Sequence, residues 1–403
     1  MKIRSLETFK ITLPFRFSFG HSLASRAESS NLIVKITLNN GCVGYGEGIP
    51  RDYVTGENIE TAENNVLLKY APHIIGLDMD EPKAIVNSLA NSFKELGLEE
   101  KAQGASWCAL ELAVLDVCSR FHGMPVSDLI GKRKLQRIRY DGVIPFGKKK
   151  ALKAVLWFYK LYGFHTVKLK VGGAPLEDDI EKLKIARQIL GNDCIIRVDA
   201  NCAWTLDEAM KAAEAFRPFS VKSFEQPLPA NNWEGLKKLS DAIEEEVLVD
   251  ESLCTIKQAK DLAENKICDA FNVRVSKAGG LLPSQEIINI ALHNGLKVHL
   301  GAQVGETGIL SAAARQLACV NEPMENYEGS ANMFLLKKDI CKENLTCGIG
   351  AYGDFKYAGK TPGLGVNIIE SNLLAMTNAE FETRPDSTDA LQHAESALSQ
   401  EAR

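Results

Sequence analysis

The feature that most constrains this chain is a series of short apolar runs between residues 166 and 277, each ending in a charged residue. Successive charged ends are separated by 29, 26, 25 and 27 positions. A strand, a helix and their two connecting loops need about that length. We therefore predict a parallel barrel with chemically active side chains at the C-terminal ends of its strands, where such barrels place active sites. The charged ends are Lys170, Asp199, Glu225, Asp250 and Lys277.

Alternation of strand and helix continues on both sides of this series. A first strand is predicted at residues 140–145, a seventh at 298–302 and a weaker eighth at 325–328. Thr205 and Thr255 each stand three residues before a Glu or Gln, which is the spacing of a capping box at a helix start. The pattern predicts helices at about 175–190, 206–218, 233–244, 255–266, 281–294 and 309–320.

The N-terminal part of the chain has a different order of elements. Strands are predicted at 2–13, 32–38 and 43–47, with the turn Asn39-Asn40-Gly41 between the last two. Residues 14–23 interrupt the first strand with aromatic side chains. Helical patterns follow at about 57–70, 81–96 and 104–121. Three strands followed by three helices predict an α+β domain of about 125 residues.

Composition excludes several classes of protein. The net charge of −5 and the absence of a basic patch interleaved with aromatic residues argue against nucleic-acid binding. The ten Cys residues form no CxxC pair, so they indicate neither a zinc site nor a redox motif. The first residues lack the apolar core of a signal peptide, and no apolar run approaches the ~20 residues of a membrane span. We expect a cytoplasmic protein.

Three of the charged ends are carboxylates on successive strands. Adjacent strands lie about 4.8 Å apart, so the side chains of Asp199, Glu225 and Asp250 can converge on one cation. Ligands that are all oxygen suit Mg²⁺ or Mn²⁺ rather than zinc. The alternative is that these groups are surface carboxylates at loop starts, but their common register favours a metal site.

The lysines flank these carboxylates. Lys168 and Lys170 share one strand face, and two neighbouring ammonium groups lower each other's affinity for a proton, so one of them can serve as a general base. Lys277 is predicted half a barrel away, at the end of the sixth strand. The alternatives are a solvated pair on a strand edge for the first two, and a loop position for Lys277, which precedes Ala278-Gly279-Gly280.

Other polar residues stand near these ends. Asn201 is predicted to bind substrate or to hold a carboxylate, and Arg197 to balance the acidic cluster. Glu251 has the opposite strand parity to Asp250 and is therefore assigned an outer role. Glu306 is expected to pair with Lys277, to bind substrate or to cap the following helix. His299 is interpreted as a core residue.

Taken together and in order, these motifs resemble the enolase superfamily, and within it the muconate lactonizing enzyme subgroup. The resemblance covers about residues 2–370 and implies an α/β fold: a modified TIM barrel, (β/α)7β, with an α+β N-terminal capping domain. The domains would be the cap at 1–130, the barrel at 131–348, a segment returning to the cap at 349–370 and a mobile polar tail at 371–403. The matching motifs are Lys168-Leu-Lys170, Asp199-Ala-Asn201, Glu225-Gln-Pro227, Asp250-Glu-Ser252 and Lys277-Ala-Gly-Gly280.

The resemblance also implies roles for these residues. Mg²⁺, or else Mn²⁺, would bind the three carboxylates and the carboxylate of a small-molecule substrate. Lys170 would be the base on one face of the substrate, with Lys168 tuning it, and Lys277 the acid or base on the other. Capping loops at 17–26 and 50–56 would close over the substrate, and the protein would form a homo-oligomer. The substrate-binding residues would be Asn201, Glu306, Glu328, Arg26 and Tyr53.

Departures from the family pattern leave the reaction open. Dipeptide epimerases of this subgroup carry an Asp-x-Asp pair after the eighth strand, where this chain has Glu328-Gly-Ser330. Gln303-Val-Gly-Glu306 replaces the Met-Leu-Glu segment of muconate enzymes, and Arg274 stands where many relatives have Lys. We expect an isomerase, either a racemase or epimerase of an amino-acid or dipeptide derivative or a muconate-type cycloisomerase. The alternatives are an o-succinylbenzoate synthase-like dehydratase and a non-catalytic binding protein.

Overall fold

The structure is a computed structural model of the 403-residue chain. It describes residues 1–21, 24–144, 149–355 and 361–377, and within these ranges the side chains of residues 18–26 are not described. The predicted substrate contact Arg26, and most of the predicted capping loop at 17–26, therefore lie outside the described side chains. In the described ranges, no helix combines the length and the apolar character needed to cross a membrane.

The capping domain begins with an antiparallel sheet in the order β1 (Ile3–His21), β2 (Ala24–Leu38) and β3 (Val43–Gly48). The predicted break at residues 14–23 is wrong for its described part, because β1 continues to His21 after a register shift between Pro14 and Phe19. β1 is an edge strand of this three-stranded sheet, so the missing N–H of Pro14 is tolerated there.

A long helix lies on this sheet. It is α5, and it is buried almost all round, as its apolar sequence predicts. A Cβ atom at Gly46 in β3 would overlap the Ala109 carbonyl of that helix, so glycine permits the close packing. The helices of the cap are α1 (Asp52–Thr55), α2 (Ile59–Asn64), a π-helical turn (Asn65–Tyr70), α3 (Ala71–Ile74), α4 (Pro82–Glu95), α5 (Gly104–Phe121) and α6 (Ser127–Ile130).

After a short strand β4 (Arg137–Arg139) the chain enters the predicted parallel barrel. Its eight strands are hydrogen-bonded in chain order, and the two edges meet where the Asp141 N–H donates to the Tyr327 carbonyl at 2.8 Å. The strands are β5 (Gly142–Ile144), β6 (Thr166–Lys170), β7 (Ile195–Asp199), β8 (Val221–Glu225), β9 (Glu246–Val249), β10 (Ala270–Arg274), β11 (Lys297–Gly301) and β12 (Asn326–Tyr327).

Among the described residues, seven helices of nine or more residues alternate with these strands, which gives the (β/α)7β arrangement. α7 was absent from the sequence-based prediction; it buries Leu152 and Leu156, four residues apart, against the barrel. The predicted capping boxes at Thr205 and Thr255 are confirmed. The helices are α7 (Lys149–Tyr162), α8 (Leu176–Leu190), α9 (Leu206–Phe216), α10 (Trp233–Ala242), α11 (Ile256–Glu264), the one-turn α12 (Val275–Ala278), α13 (Leu281–His293), α14 (Gly308–Val320) and the one-turn α15 (Asn332–Leu335); two short 3-10 turns lie at Arg217–Phe219 and Ile349–Ala351.

The C-terminal segment returns to the first part of the chain. Strand β13 (Tyr352–Asp354) pairs with β4, and α16 (Glu370–Met376) lies beside β1 with Leu373 buried. The described part of the expected tail, residues 371–377, is therefore packed against the cap. Residues 378–403 lie outside the described part of the chain.

Candidate active site

The C-terminal ends of β6, β7 and β8 place three charged side chains at one height in the barrel. Lys170 pairs in register with Asp199, and Asp199 with Glu225. Asp250 directly follows β9, so the three carboxylates stand at the ends of three successive strands. All three carboxylates are fully buried, and unpaired charges there would be strongly destabilising.

Cations compensate each of these carboxylates. The Nζ of Lys170 is 2.5 Å from Asp199 Oδ2, the Nζ of Lys168 is 2.9 Å from Glu225 Oε2, and the Nζ of Lys277 is 2.7 Å from Asp250 Oδ1. Burial raises the pKa of Glu225, but Lys168 and Arg197 outweigh it, so the net pKa lies well below its usual range. Glu225 is therefore held ionised, as a metal ligand must be.

The chemistry of this donor set fits a hard divalent cation, because all three side chains offer carboxylate oxygens. In the described ranges, however, no three His, Cys, Asp or Glu side chains converge closely enough to hold an ion as they stand. Each carboxylate instead faces a lysine or arginine, and Arg274 donates to Asp250 Oδ2. Asp199, Glu225 and Asp250 are the residues that would hold such an ion.

Lys168 is buried and faces three carboxylates, those of Asp199, Glu225 and Glu328. Burial lowers its pKa, but Glu225, Glu328 and Asp199 outweigh that effect and the net pKa is raised. The prediction that the two neighbouring lysines push each other towards neutrality is therefore wrong for Lys168, which is a fixed cation. Its neighbour Lys170 lines the same cavity and is held by Asp199 and by Asn201 Oδ1, at 2.6 Å.

The sequence predicted that Lys277 ends the sixth strand, and this prediction is wrong. β10 ends at Arg274, and Lys277 stands in the one-turn helix α12, which ends at Gly279 with a φ of 104°. Burial lowers the pKa of Lys277 to about 7, which suits a group that both accepts and donates a proton. The cap fixes its backbone, because a Cβ at Gly104 in α5 would overlap the Lys277 carbonyl.

Glu251 lies in the site rather than in the predicted outer position. The side-chain amide of Asn201 donates to its Oε1 at 2.8 Å, while Oε2 is buried without a partner. Burial, followed by the charge of Asp199, raises the pKa of Glu251 to about 7. Strand parity misled the prediction because β9 ends before Asp250, so the alternation does not extend to Glu251.

Arg197 and Glu328 form an ion cluster at the cavity, which Glu328 lines. Arg197 donates to Asp141 at 2.7 Å and to Glu225 and Glu328 at 3.1 Å each, which agrees with its predicted balancing role. Glu328 also accepts from Lys168 at 2.8 Å. Its charge is therefore already compensated within the protein, which weakens the prediction that it binds substrate.

Glu306 makes neither of its two predicted protein contacts. Thr307, not Glu306, caps α14, and Lys277 bonds Asp250 and backbone carbonyls instead. Glu306 accepts from the Gln303 N–H at 2.7 Å and lines the cavity. Burial raises its pKa to about 8. His299 lies in the barrel core as predicted, with a pKa that burial lowers.

Two buried glutamates of the cap escaped the sequence analysis. Glu47, at the end of β3, accepts from the N–H and hydroxyl of Thr307 and from the N–H of Leu310, at the start of α14. Glu111 of α5 accepts from the N–H groups of Leu281 and Leu282, at the start of α13. The cap thus supplies the carboxylates that favour these two helix N-termini. Their partners are about 170–260 residues distant in sequence, so no local pattern signals them.

Glu111 should make the free energy of unfolding depend on pH. Burial raises its pKa to about 8, against about 4.3 in an unfolded chain. The folded protein therefore holds this proton more tightly, and the free energy of unfolding should fall as pH rises from 5 to 8, by up to about 1.4 kcal/mol per pH unit for this group. Urea unfolding measures this free energy at each pH, and its plot against pH should be flatter for Glu111→Gln than for the wild type. The control is Glu286→Gln, at an exposed position of α13, whose plot should match that of the wild type. A Glu111→Gln plot parallel to that of the wild type would contradict the assigned role of Glu111.

A cavity of about 830 Å³ opens above the charged strand ends. Lys170, Asn201 and Glu251 line its floor, and the cap contributes Arg51 and Tyr53 to its wall. Tyr53, on α1 in the predicted loop at 50–56, is 38% exposed and lines the cavity. The structure therefore brings Tyr53 and the barrel residues together around one space that can take a small molecule.

Comparison with known proteins assigns the architecture. Residues 4–131 match the family described as mandelate racemase / muconate lactonizing enzyme, N-terminal domain. Residues 151–372 match the family described as enolase C-terminal domain-like. The chain belongs to the mandelate racemase / muconate lactonizing enzyme family of the enolase superfamily. The resemblance inferred from the sequence motifs, and the modified TIM barrel with its N-terminal cap, are both confirmed.

Family relatives span nearly the whole chain. The L-Ala-D/L-Glu epimerase of Bacillus subtilis (strain 168) is 26% identical and covers 91% of this chain and 97% of its own length. Muconate cycloisomerase 1-2 of Acinetobacter lwoffii is 28% identical, with coverages of 91% and 93%. The crystal structure of a dipeptide epimerase from Enterococcus faecalis V583, complexed with Mg and the dipeptide L-Leu-L-Tyr, has a TM-score of 0.81 at 26% identity, covering 91% of this chain and all of that one (100%).

Proposed function

We propose that this protein is a Mg²⁺-dependent isomerase that removes the proton α to a carboxylate, and that it racemises or epimerises an amino-acid or dipeptide derivative. The observation that carries the proposal is the placement of Lys170 and Lys277. Lys170 ends β6 and Lys277 follows β10, four strands apart in an eight-stranded barrel, so they stand on opposite sides of the barrel, with Lys170 lining the cavity and Lys277 buried beside Asp250. One amine on each face is what inversion at a carbon centre needs.

The chain's own residues supply the proton chemistry. Lys170 would take the α-proton on one face, and Lys277, with its pKa lowered to about 7 by burial, would return a proton on the other. Lys168, a buried cation at the same site, would offset the negative charge that develops on the substrate. A bound Mg²⁺, or Mn²⁺, on Asp199, Glu225 and Asp250 would anchor the substrate carboxylate and stabilise that charge further.

The proposal also covers where the enzyme works and its oligomeric state. All ten thiols are free, which is typical of a reducing compartment, so we place the enzyme in the cytoplasm. We further expect a homo-oligomer acting on a small-molecule carboxylate. The second candidate function is muconate-type cycloisomerisation, because a curated muconate cycloisomerase matches over 91% of the chain.

Incubation in D₂O with Mg²⁺ tests the reaction, followed by ¹H NMR. The substrates would be N-acyl amino acids, dipeptides, cis,cis-muconate and o-succinylbenzoate precursors. Loss of the α-hydrogen signal with formation of the other stereoisomer is the expected result. A new lactone ring would favour the cycloisomerase, and a new double bond the dehydratase. Neither exchange nor turnover with any of these acids would contradict the proposed function.

A further inference from the structure

The cavity has two chemically different ends. The polar end holds Lys170, Asn201, Glu251 and Glu306. The other end, which we call the apolar lobe, extends between β5, α7 and α15. Its walls are formed by Val143, Leu152, Val155, Phe158, Phe164 and Phe334. A bound molecule that filled the cavity would therefore meet charge at one end and hydrocarbon at the other.

Aromatic rings build much of the apolar lobe. Phe158 and Phe334 meet edge to face with centroids 5.5 Å apart, and Tyr159 lies 4.5 Å from Phe164. The Tyr159 hydroxyl donates to the Val143 carbonyl at 2.7 Å, so its polar atom is already satisfied. Phe158 nevertheless remains 39% exposed. The lobe thus offers apolar surface that an entering apolar group would cover.

None of the side chains that form the apolar lobe is acidic, and the acids elsewhere in the described cavity lining each accept a hydrogen bond within the protein. Asp141 accepts from Arg197, Glu328 from Lys168 and Arg197, Glu251 from Asn201, and Glu306 from the Gln303 N–H. A cationic side chain that entered the lobe would meet no carboxylate among the residues that form it. A cation would lose its hydration there without compensation, which disfavours it strongly.

We propose that the apolar lobe is the specificity pocket, and that the substrate is an N-acyl amino acid or dipeptide whose reacting residue bears an aromatic or large branched aliphatic side chain. This inference rests on the proposed function, because the reacting carboxylate must lie at the polar end. One methylene in an apolar pocket changes kcat/KM by roughly 10- to 200-fold. A phenylalanine or leucine derivative should therefore exceed the alanine derivative by at least about ten-fold in kcat/KM.

The specificity pocket is tested on the wild-type protein with Mg²⁺. The substrates are matched series of N-acetyl amino acids and of X-Ala and Ala-X dipeptides, with Ala, Leu, Phe or Lys at the reacting position. The expected order of α-hydrogen exchange is Phe or Leu first, then Ala, then Lys. Exchange with Ala at least as fast as with Phe and Leu, or a preference for Lys, would overturn the specificity pocket and leave the proposed function standing. No exchange with any member would overturn both.

A variant that fills the lobe gives the second test. Val155→Trp should lower the Phe:Ala ratio of kcat/KM by at least about ten-fold, while exchange of the alanine derivative persists. Leu161→Trp, the same enlargement at a 79% exposed position of the same helix, should leave the ratio unchanged. Folding of both variants is checked by circular dichroism. An unchanged ratio in a folded Val155→Trp variant would overturn the proposal; if that variant does not fold, the wild-type series decides.

Discussion

Lys170→Ala should abolish racemisation, with kcat lowered by about 10²–10⁴-fold, the usual contribution of a general base. The other lysine remains in place, so the loss should be stereospecific. Lys277 should still exchange the α-hydrogen of one stereoisomer with D₂O, while exchange of the other disappears. Lys277→Ala should show the reverse preference. ¹H NMR of separate reactions with each pure stereoisomer measures both effects.

A matched control separates this effect from a general loss of charge. Lys238 is an exposed lysine on α10 that pairs with Glu234 one turn away, and Lys238→Ala should exchange both stereoisomers like the wild type. The buried environment of Asp199 should survive in Lys170→Ala, because Lys168 Nζ also lies 3.5 Å from Asp199 Oδ2. Retained exchange of both stereoisomers by Lys170→Ala would remove Lys170 from the proton-transfer step.

Glu225→Gln should have the largest effect on stability. Glu225 is fully buried and accepts from Lys168, from Arg197 and from the side-chain amide of Asn272 at 2.7 Å. Loss of its charge leaves two buried cations undercompensated, which should lower the free energy of unfolding by about 3–5 kcal/mol. Urea unfolding measures the change. The same variant should bind Mg²⁺ far more weakly in calorimetric titration, because one of three proposed ligands has lost its charge.

Exposed Glu234 provides the control, because its pairing with Lys238 is solvated. Glu234→Gln should change the free energy of unfolding by no more than about 1 kcal/mol and leave Mg²⁺ binding intact. Mg²⁺ should also raise the unfolding midpoint of the wild type, since a ligand that binds only the folded state stabilises it. A Glu225→Gln protein that matches the wild type in unfolding and in Mg²⁺ affinity would contradict the proposed metal site.

The sequence predicted the strand ends well because periodicity is a local property. Lys170, Asp199 and Glu225 each end a strand, and they are separated by the similar intervals of 29 and 26 residues. Lys277 and Glu251 were misplaced because both follow the end of a strand, in α12 and in the turn after β9, where alternation no longer holds. A break in that alternation cannot be read from residue type alone.

Contacts between the two parts of the chain were beyond sequence reasoning for a different reason. Glu47 and Glu111 are ordinary acids in their own elements, and only the fold shows that they lie against the starts of α14 and α13. The apolar lobe likewise draws on α7 and α15, which are about 170 residues apart in the chain. α7 itself was overlooked, although its apolar residues recur at helical spacing.

The most direct test of the proposed metal centre is a crystal structure of the protein grown with Mn²⁺, using anomalous scattering to locate the ion. We expect one Mn²⁺ bonded to an oxygen of each of Asp199, Glu225 and Asp250, with Arg274 withdrawn from Asp250. Addition of a substrate analogue should place its carboxylate on the same ion, between Lys170 and Lys277. An ion at another site, or none at these three carboxylates under saturating Mn²⁺, would contradict the metal-assisted proton transfer proposed for this protein.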